Sequence, residues 1–292
     1  MKRDPGMKMR RVIYLRRLSQ LFVIALLIVV PAVTMNSFEW SPSRIVLGHL
    51  PPPTIRNISG DTWVFTIGGF RFVHPIAFMD GILSARVIYI PYLLGLIIPL
   101  FITIVLGRVF CSWLCPVGFI LELNQRTNTL LKRMGLNHEL RLPDIRYLLL
   151  SVMLLLSFIL STPVVSVIDP PHMLGRELMY LFTHHSVSLT GVSILSGIIL
   201  FEGLSTSRAW CSSLCPSGGG LSILGAKRVL RIGMERQLCT RCGRCDERCP
   251  YNLEPMRLLE DEPGFDWIKC DNCGLCRDVC PTGAIKYMFR RR

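Results

Sequence analysis

Apolar runs dominate the chain and fall into four blocks separated by polar or mixed segments. Each block predicts a membrane-spanning helix, which needs about 20 residues to cross a hydrocarbon core of about 30 Å. The predicted spans are Leu18 to about Met35, Val87–Gly107, Ile145–Ile168 and Val187–Leu204, the last carrying Glu202 near its end. Pro31, Pro91, Pro99 and Pro163 lie within three of them, as neighbouring helices permit by satisfying the freed carbonyls. Between the first two spans, Asp61–His74 alternates around Gly68-Gly69 and predicts a short hairpin with a two-residue turn. Pro75–Ala85, of mixed pattern, predicts an interfacial helix. The basic lead-in to the first span also suits a signal peptide, but the run is too long and no A-x-A site follows, so a retained anchor is expected.

Composition agrees with a membrane chain. Half of the 292 residues are apolar, with a mean hydropathy of +0.43. The net charge of +13 would suit a nucleic-acid binder, but its distribution excludes that class. Of the 33 Lys and Arg, 28 lie in 1–17, 108–146 and 207–292, and the two intervening segments hold the rest. By the positive-inside rule both termini face the cytoplasm of a bacterial inner membrane, helped by anionic headgroups of the lipid bilayer.

The membrane part repeats itself. Arg108-Val-Phe-Cys111-Ser-Trp-Leu-Cys115-Pro-Val-Gly118 follows the second span and Arg208-Ala-Trp-Cys211-Ser-Ser-Leu-Cys215-Pro-Ser-Gly218 the fourth. The likeness extends back to Val73-His-Pro75 and Ile168-Asp-Pro170, and forward to Lys132/Arg133 and Lys227/Arg228. Both spans run the same way, so the repeats are parallel and bring the two cysteine motifs to one depth.

All twelve cysteines fall in clusters. Cys239-x2-Cys242-x2-Cys245-x3-Cys249-Pro250 is followed by Cys270-x2-Cys273-x2-Cys276-x3-Cys280-Pro281, the bacterial ferredoxin run, twice. Three thiolates on a tight loop wrap three corners of a cuboidal cluster while the fourth ligates the other. Two 4Fe–4S clusters are therefore expected, one on Cys239, Cys242, Cys245 and Cys280, the other on Cys270, Cys273, Cys276 and Cys249. Zinc would not need this spacing with proline after the fourth cysteine. For Cys111, Cys115, Cys211 and Cys215 three readings stand: a third metal or iron–sulfur centre, redox thiols tuned by Arg108 and Arg208, or buried structural thiols.

The expected architecture is an α-helical membrane protein, four transmembrane helices in two parallel repeats, with an α+β dicluster ferredoxin domain. Residues 1–17 are the basic N-terminus, 18–233 the membrane domain and 234–292 the cytoplasmic ferredoxin domain. A redox reaction that releases protons within a membrane needs an acceptor beside an apolar slot. On the outer side the candidates are His74 and Asp169, matched in the repeat, with Asp80, His172, Arg176 and Glu177 nearby; on the inner side it is Glu202, an ionisable group within a span. His184 and His185 sit at a bundle rim, unsuited to haem.

These motifs resemble the NapH-type ferredoxin subunits of membrane quinol dehydrogenases, in a wider group with MauN-, NosR- and CcoG-type polyferredoxins. The resemblance covers nearly the whole chain. It rests on Leu15-Arg-Arg-Leu-Ser-Gln-Leu-Phe-Val, Phe110-Cys-Ser-Trp-Leu-Cys-Pro, Trp210-Cys-Ser-Ser-Leu-Cys-Pro, Leu174-Gly-Arg176 and the closing cluster motifs. It implies electrons taken from membrane quinol and passed to a ferredoxin-type or other redox partner and a terminal reductase. The alternative is a CcoG-like assembly factor that reduces a metal or protein thiols. Against it, such factors extend well past the last cluster, whereas this sequence runs to Arg292; the large N-terminal domain of NosR-type proteins is also lacking.

Overall fold

The computed structural model describes residues 11–34, 58–60, 64–67, 70–88, 90–123, 142–204, 208–259 and 265–289. The expected basic residues 1–10, the Gly68-Gly69 turn, Lys132/Arg133 and the side chain of His184 lie outside the described residues.

Helix α1 (Arg11–Thr34) starts a full seven residues before the expected span. A three-stranded antiparallel sheet follows, β1 (Ile58–Gly60), β2 (Val64–Ile67) and β3 (Phe70–Val73). Ile67 faces Phe70 across the hairpin; β1 was not foreseen. Helices α2 (Pro75–Ala85) and α3 (Ile90–Leu106) come next, then a π-helical turn at Phe110–Leu114 and a helix, α4, over 116–123. The second half holds α5 (Arg146–Leu160), the short α6 (Val165–Ile168), α7 (Pro170–His184) and α8 (Leu189–Leu204). A second π-helical turn, Trp210–Leu214, leads into α9 (Pro216–Leu224). The tail carries β4 (Leu230–Met234), the short helices α10 (Arg244–Glu247) and α11 (Leu275–Asp278), and β5 (Ile285–Phe289). β4 pairs antiparallel with β5, so the ferredoxin sheet straddles the boundary expected at 233/234.

Several helices depart from the expected spans. Among the described residues, one helix is by length and composition long and apolar enough to cross a membrane, over Val12–Val29; the other apolar helices there have 10–17 residues. At about 1.5 Å per residue the 17 residues of α3 reach about 25 Å. Gly107, at φ +81°, ends α3. The span expected over Ile145–Ile168 breaks at Ser161, whose left-handed conformation stops α5 just before Pro163, which cannot continue a helix.

The helices bury polar groups and expose apolar ones. α3 presents Ile90, Leu94, Ile97 and Phe101 outward and packs Gly95, Pro99 and Thr103 inward. α5 exposes Leu148, Leu155 and Ile159 while burying Arg146 and Ser157. α1 exposes Leu18 and Phe22 and buries Arg16 and Gln20. Close approach fixes the inner packing: a Cβ on Gly95 would lie 2.5 Å from the carbonyl oxygen of Arg71, so β3 runs against α3 without room for a side chain.

α2 buries one face among its neighbours. Pro75, Ile76, Ala77 and Asp80 are buried, and Ile76 packs with Leu150, Met153 and Val165. Asp80 accepts from the Ser157 hydroxyl at 2.5 Å and from the backbone N–H of Ser166 at 3.3 Å, tying α2 to α5 and α6.

Candidate iron–sulfur sites and the seam between them

The tail holds two pockets, whose volumes include the solvent space at the mouth. The first, of about 330 Å³, is lined by Cys249, Cys270, Cys273 and Cys276 together with Tyr251 and Phe265. The second, of about 310 Å³, is lined by Cys239, Cys242, Cys245 and Cys280. Each takes three cysteines from one loop and the fourth from the other. Gly243 and Gly274, at φ +74° and +76°, bend the two loops alike and start α10 and α11; that backbone conformation costs a side-chain-bearing residue about 1–2 kcal/mol. Four cysteines lining one pocket, three from a single loop, suit a cuboidal cluster. All twelve cysteines are free of disulfides. Burial pushes the Cys270 thiol up to about 11 and, with the charge of Asp246, that of Cys245 up to about 12. Such thiols ionise when a cation takes the proton's place.

The two membrane motifs adopt one local structure. Each cysteine before proline, Cys115 and Cys215, is extended (φ −70°, ψ 115° and φ −64°, ψ 115°), as a following proline requires. Its N–H reaches back five residues to the carbonyl of Phe110 or Trp210, making the π-turn, a geometry that recurs at functional sites. The Gly118 and Gly218 N–H groups each point at the preceding sulfur, at 3.3 and 3.4 Å. The two turns face each other closely enough for Cys211 to lie within electrostatic range of Cys111 and Cys115, and Cys215 within range of Cys211 and Cys111.

Two of the candidate proton acceptors come together at the cysteine turns. His74 and Asp169 both stand at the N-cap of a proline-led helix, at matching backbone angles. The His74 ring meets the edge of Phe110, with centroids 6.0 Å apart, and its Nδ1 accepts from the N–H of Ile76. Asp169, fully buried, is within electrostatic range of Cys111, Cys115 and Cys215. α2 and α7 thus begin beside the cysteine turns, because each folds back into the helix packing rather than lying on its surface. His172 is buried near Asp80. Glu202 is buried and accepts the Trp210 N–H at 2.9 Å, capping the second π-turn. Arg176 pairs with Glu177, which also accepts from the Ser188 N–H.

Between the thiol pairs and the first cavity lies a buried polar seam that sequence reasoning missed. The guanidinium groups of Arg108 and Arg208 lie over the ring of Tyr251, 4.8 and 5.7 Å from its centroid. The Tyr251 hydroxyl donates to Asp271 at 2.9 Å. Arg108 donates to the Lys269 carbonyl, Ser112 to that of Asp271 and Arg228 to that of Cys270. Asn272 donates to the carbonyls of Leu106 and Leu230. Glu122 binds Arg16, Arg17 and Arg208. The signal available in sequence was the mismatch between the two cluster loops, Thr240-Arg241 against Asp271-Asn272.

Comparison with known proteins accords with this geometry. Residues 90–134 and 187–234 match a family described as "4Fe-4S binding domain", and 238–285 one described as "4Fe-4S dicluster domain". The fold and its cysteine sites define an iron–sulfur protein of ferredoxin type that serves electron transfer. The chain is 35% identical to the ferredoxin-type protein NapH of Escherichia coli strain K12 over 178 residues, 59% of each chain. It is 30% identical over 285 residues to the methylamine utilization ferredoxin-type protein MauN of Methylobacillus flagellatus, covering 94% of this chain and 89% of that one. The putative electron transport protein YccM of Escherichia coli is 26% identical over 77% of this chain and 65% of its own. The chain belongs to the NapH/MauN family of ferredoxin-type proteins. No solved structure matches it.

Proposed function

We propose that this chain is a membrane-anchored relay that takes electrons from membrane quinol and passes them to a redox partner serving a terminal reductase. The observation that carries this reading is the seam: a dicluster-type tail is locked by buried hydrogen bonds against the two cysteine turns of an apolar-surfaced helical scaffold. Helices α1, α3, α5 and α8 turn large apolar side chains outward and polar ones inward, the pattern a bilayer selects. We read them as four spans in two parallel repeats, with both termini and the tail on the cytoplasmic side of the inner membrane.

Cys239, Cys242, Cys245 and Cys280 would hold one 4Fe–4S cluster, and Cys249, Cys270, Cys273 and Cys276 the other. Cys111, Cys115, Cys211 and Cys215 would hold a third centre. When bound, such clusters supply one-electron exchange. The chain's own residues set their surroundings. Arg108, Arg208 and Arg228 bring positive charge to thiolate-rich walls, and Tyr251 fills the gap between the two halves. Asp169 and His74, beside the cysteine turns, are placed to accept the protons that quinol releases; His172 and Glu202 lie in the packing behind them.

Iron and acid-labile sulfide per chain test the ligand sets. About twelve of each supports a third four-iron centre, and about eight leaves only the tail pair. Addition of a reduced menaquinol analogue to the oxidised, detergent-purified protein, followed by EPR, tests the relay. Cluster reduction is expected. No reduction by any quinol, with Cu(II) readily reduced, would replace this reading with the assembly-factor one.

A further inference from the structure

The two cluster loops are built alike but end in opposite surroundings. Thr240-Arg241-Cys242-Gly243-Arg244 corresponds to Asp271-Asn272-Cys273-Gly274-Leu275. Arg241 and Asn272 share φ +53° and +55°, as the two glycines share theirs. In the second loop Asp271, Asn272, Cys273 and Leu275 are all buried, and the loop bonds to α3 and the first π-turn. A Cβ on Gly274 would meet the Tyr287 hydroxyl at 2.6 Å and Val12 at 2.9 Å, whereas one on Gly243 meets nothing within 4 Å.

The uncovered loop is mainly basic. Arg241, Arg244 and Arg248 are exposed around the exposed Cys242, and none of the three makes an ion pair among the described residues. Leu238 stands exposed beside them. Of the nearby acids, Asp246 is engaged by the Met256 N–H at 2.8 Å and Glu235 by Lys286, leaving Glu247. Arginines around a small apolar spot, beside the exposed cysteine of a redox site, are the features of an interface core with electrostatic steering.

We propose that the loop around Cys242 is the docking face for a soluble one-electron redox protein with an acidic surface. The inference rests on the relay reading above and deepens it: the first cavity faces the membrane part and the second faces the partner. In an encounter one electron leaves one protein's centre as the other's gains it, and no proton or bond changes hands. Arg241, Arg244 and Arg248 orient the partner, and the uncovered Cys242 loop lets it approach.

The test uses the full chain, cluster-loaded, in nanodiscs of neutral phosphatidylcholine, with flavodoxin as the acidic probe. Binding is measured by surface plasmon resonance at low and at high salt. Binding that weakens with salt, and falls about tenfold for Arg241→Glu with Arg244→Glu at unchanged iron content, supports the docking face. Arg244→Gln with Arg248→Gln, which is milder on the loop, should give a smaller loss in the same direction. Binding indifferent to salt and to both variants overturns the proposal. So does loss of wild-type binding when the lipid is changed to anionic phosphatidylglycerol, which would place the arginines on headgroups. A chain that takes up no iron fails the relay reading itself; a loaded chain that ignores the arginines fails only the docking face.

Discussion

Glu122 should be the carboxylate on which assembly of the scaffold depends most. Its side chain is 6% exposed and binds Arg16 at 2.5 Å, Arg17 at 2.8 Å and Arg208 at 3.3 Å; Arg16 and Arg208 are each 1% exposed. Replacing it by Ala leaves Arg208 with Asp271 at 3.9 Å and Arg16 with the weaker influence of Asp278. Removing one partner of a buried ion pair costs about 3–5 kcal/mol, since the remaining charge stays desolvated. That shifts the folding equilibrium by between about a hundredfold and a few thousandfold. Arg17, 28% exposed, provides the contrast: Arg17→Ala removes a half-solvated pair and should cost about 1 kcal/mol or less. The assay is SDS titration of the detergent-purified protein, followed by tryptophan fluorescence, with both variants in parallel. Glu122→Ala within about 1 kcal/mol of Arg17→Ala would refute the view that the seam is a desolvated ion network.

Three further outcomes follow from the same geometry. Tyr251→Phe keeps the ring beneath Arg108 and Arg208 but removes the 2.9 Å bond to Asp271; a loss of about 1.5–3 kcal/mol is expected in the same titration, the worth of a bond to a charged group. Gly274→Ala and Gly243→Ala both strain a positive φ, but only at Gly274 does a methyl group strike Tyr287 and Val12; iron retention should fall further for Gly274→Ala, and equal retention would contradict the asymmetry of the loops. Stripping iron with a chelator under oxidation should make residues 230–289 protease-sensitive before the helical part, because four of the eight buried residues in the tail's core are cysteines that lose their common ligand.

The sequence by itself determined the features whose cause is local. The ferredoxin-type domain was legible because three cysteines of each motif lie within seven residues, the spacing of a loop that wraps a cluster. The internal repeat was legible for the same reason: a cysteine before proline, with glycine two residues after the proline, specifies the extended residue and the helix start in both copies. The hairpin around 68–69 showed in its alternation. Tertiary structure alone decided which charges are buried. Arg16 and Glu122 are 106 residues apart, and each reads in sequence as an ordinary surface charge, since nothing in either neighbourhood names the partner that makes burial affordable. Likewise His74 and Asp169 looked like groups at the outer membrane face; they come to the cysteine turns because α2 and α7 pack inward, an outcome set by helix–helix contacts. The asymmetry of the two cluster loops, one sealed against the scaffold and one open and basic, was written in their mismatched residues but acquired meaning only when the seam closed over one of them.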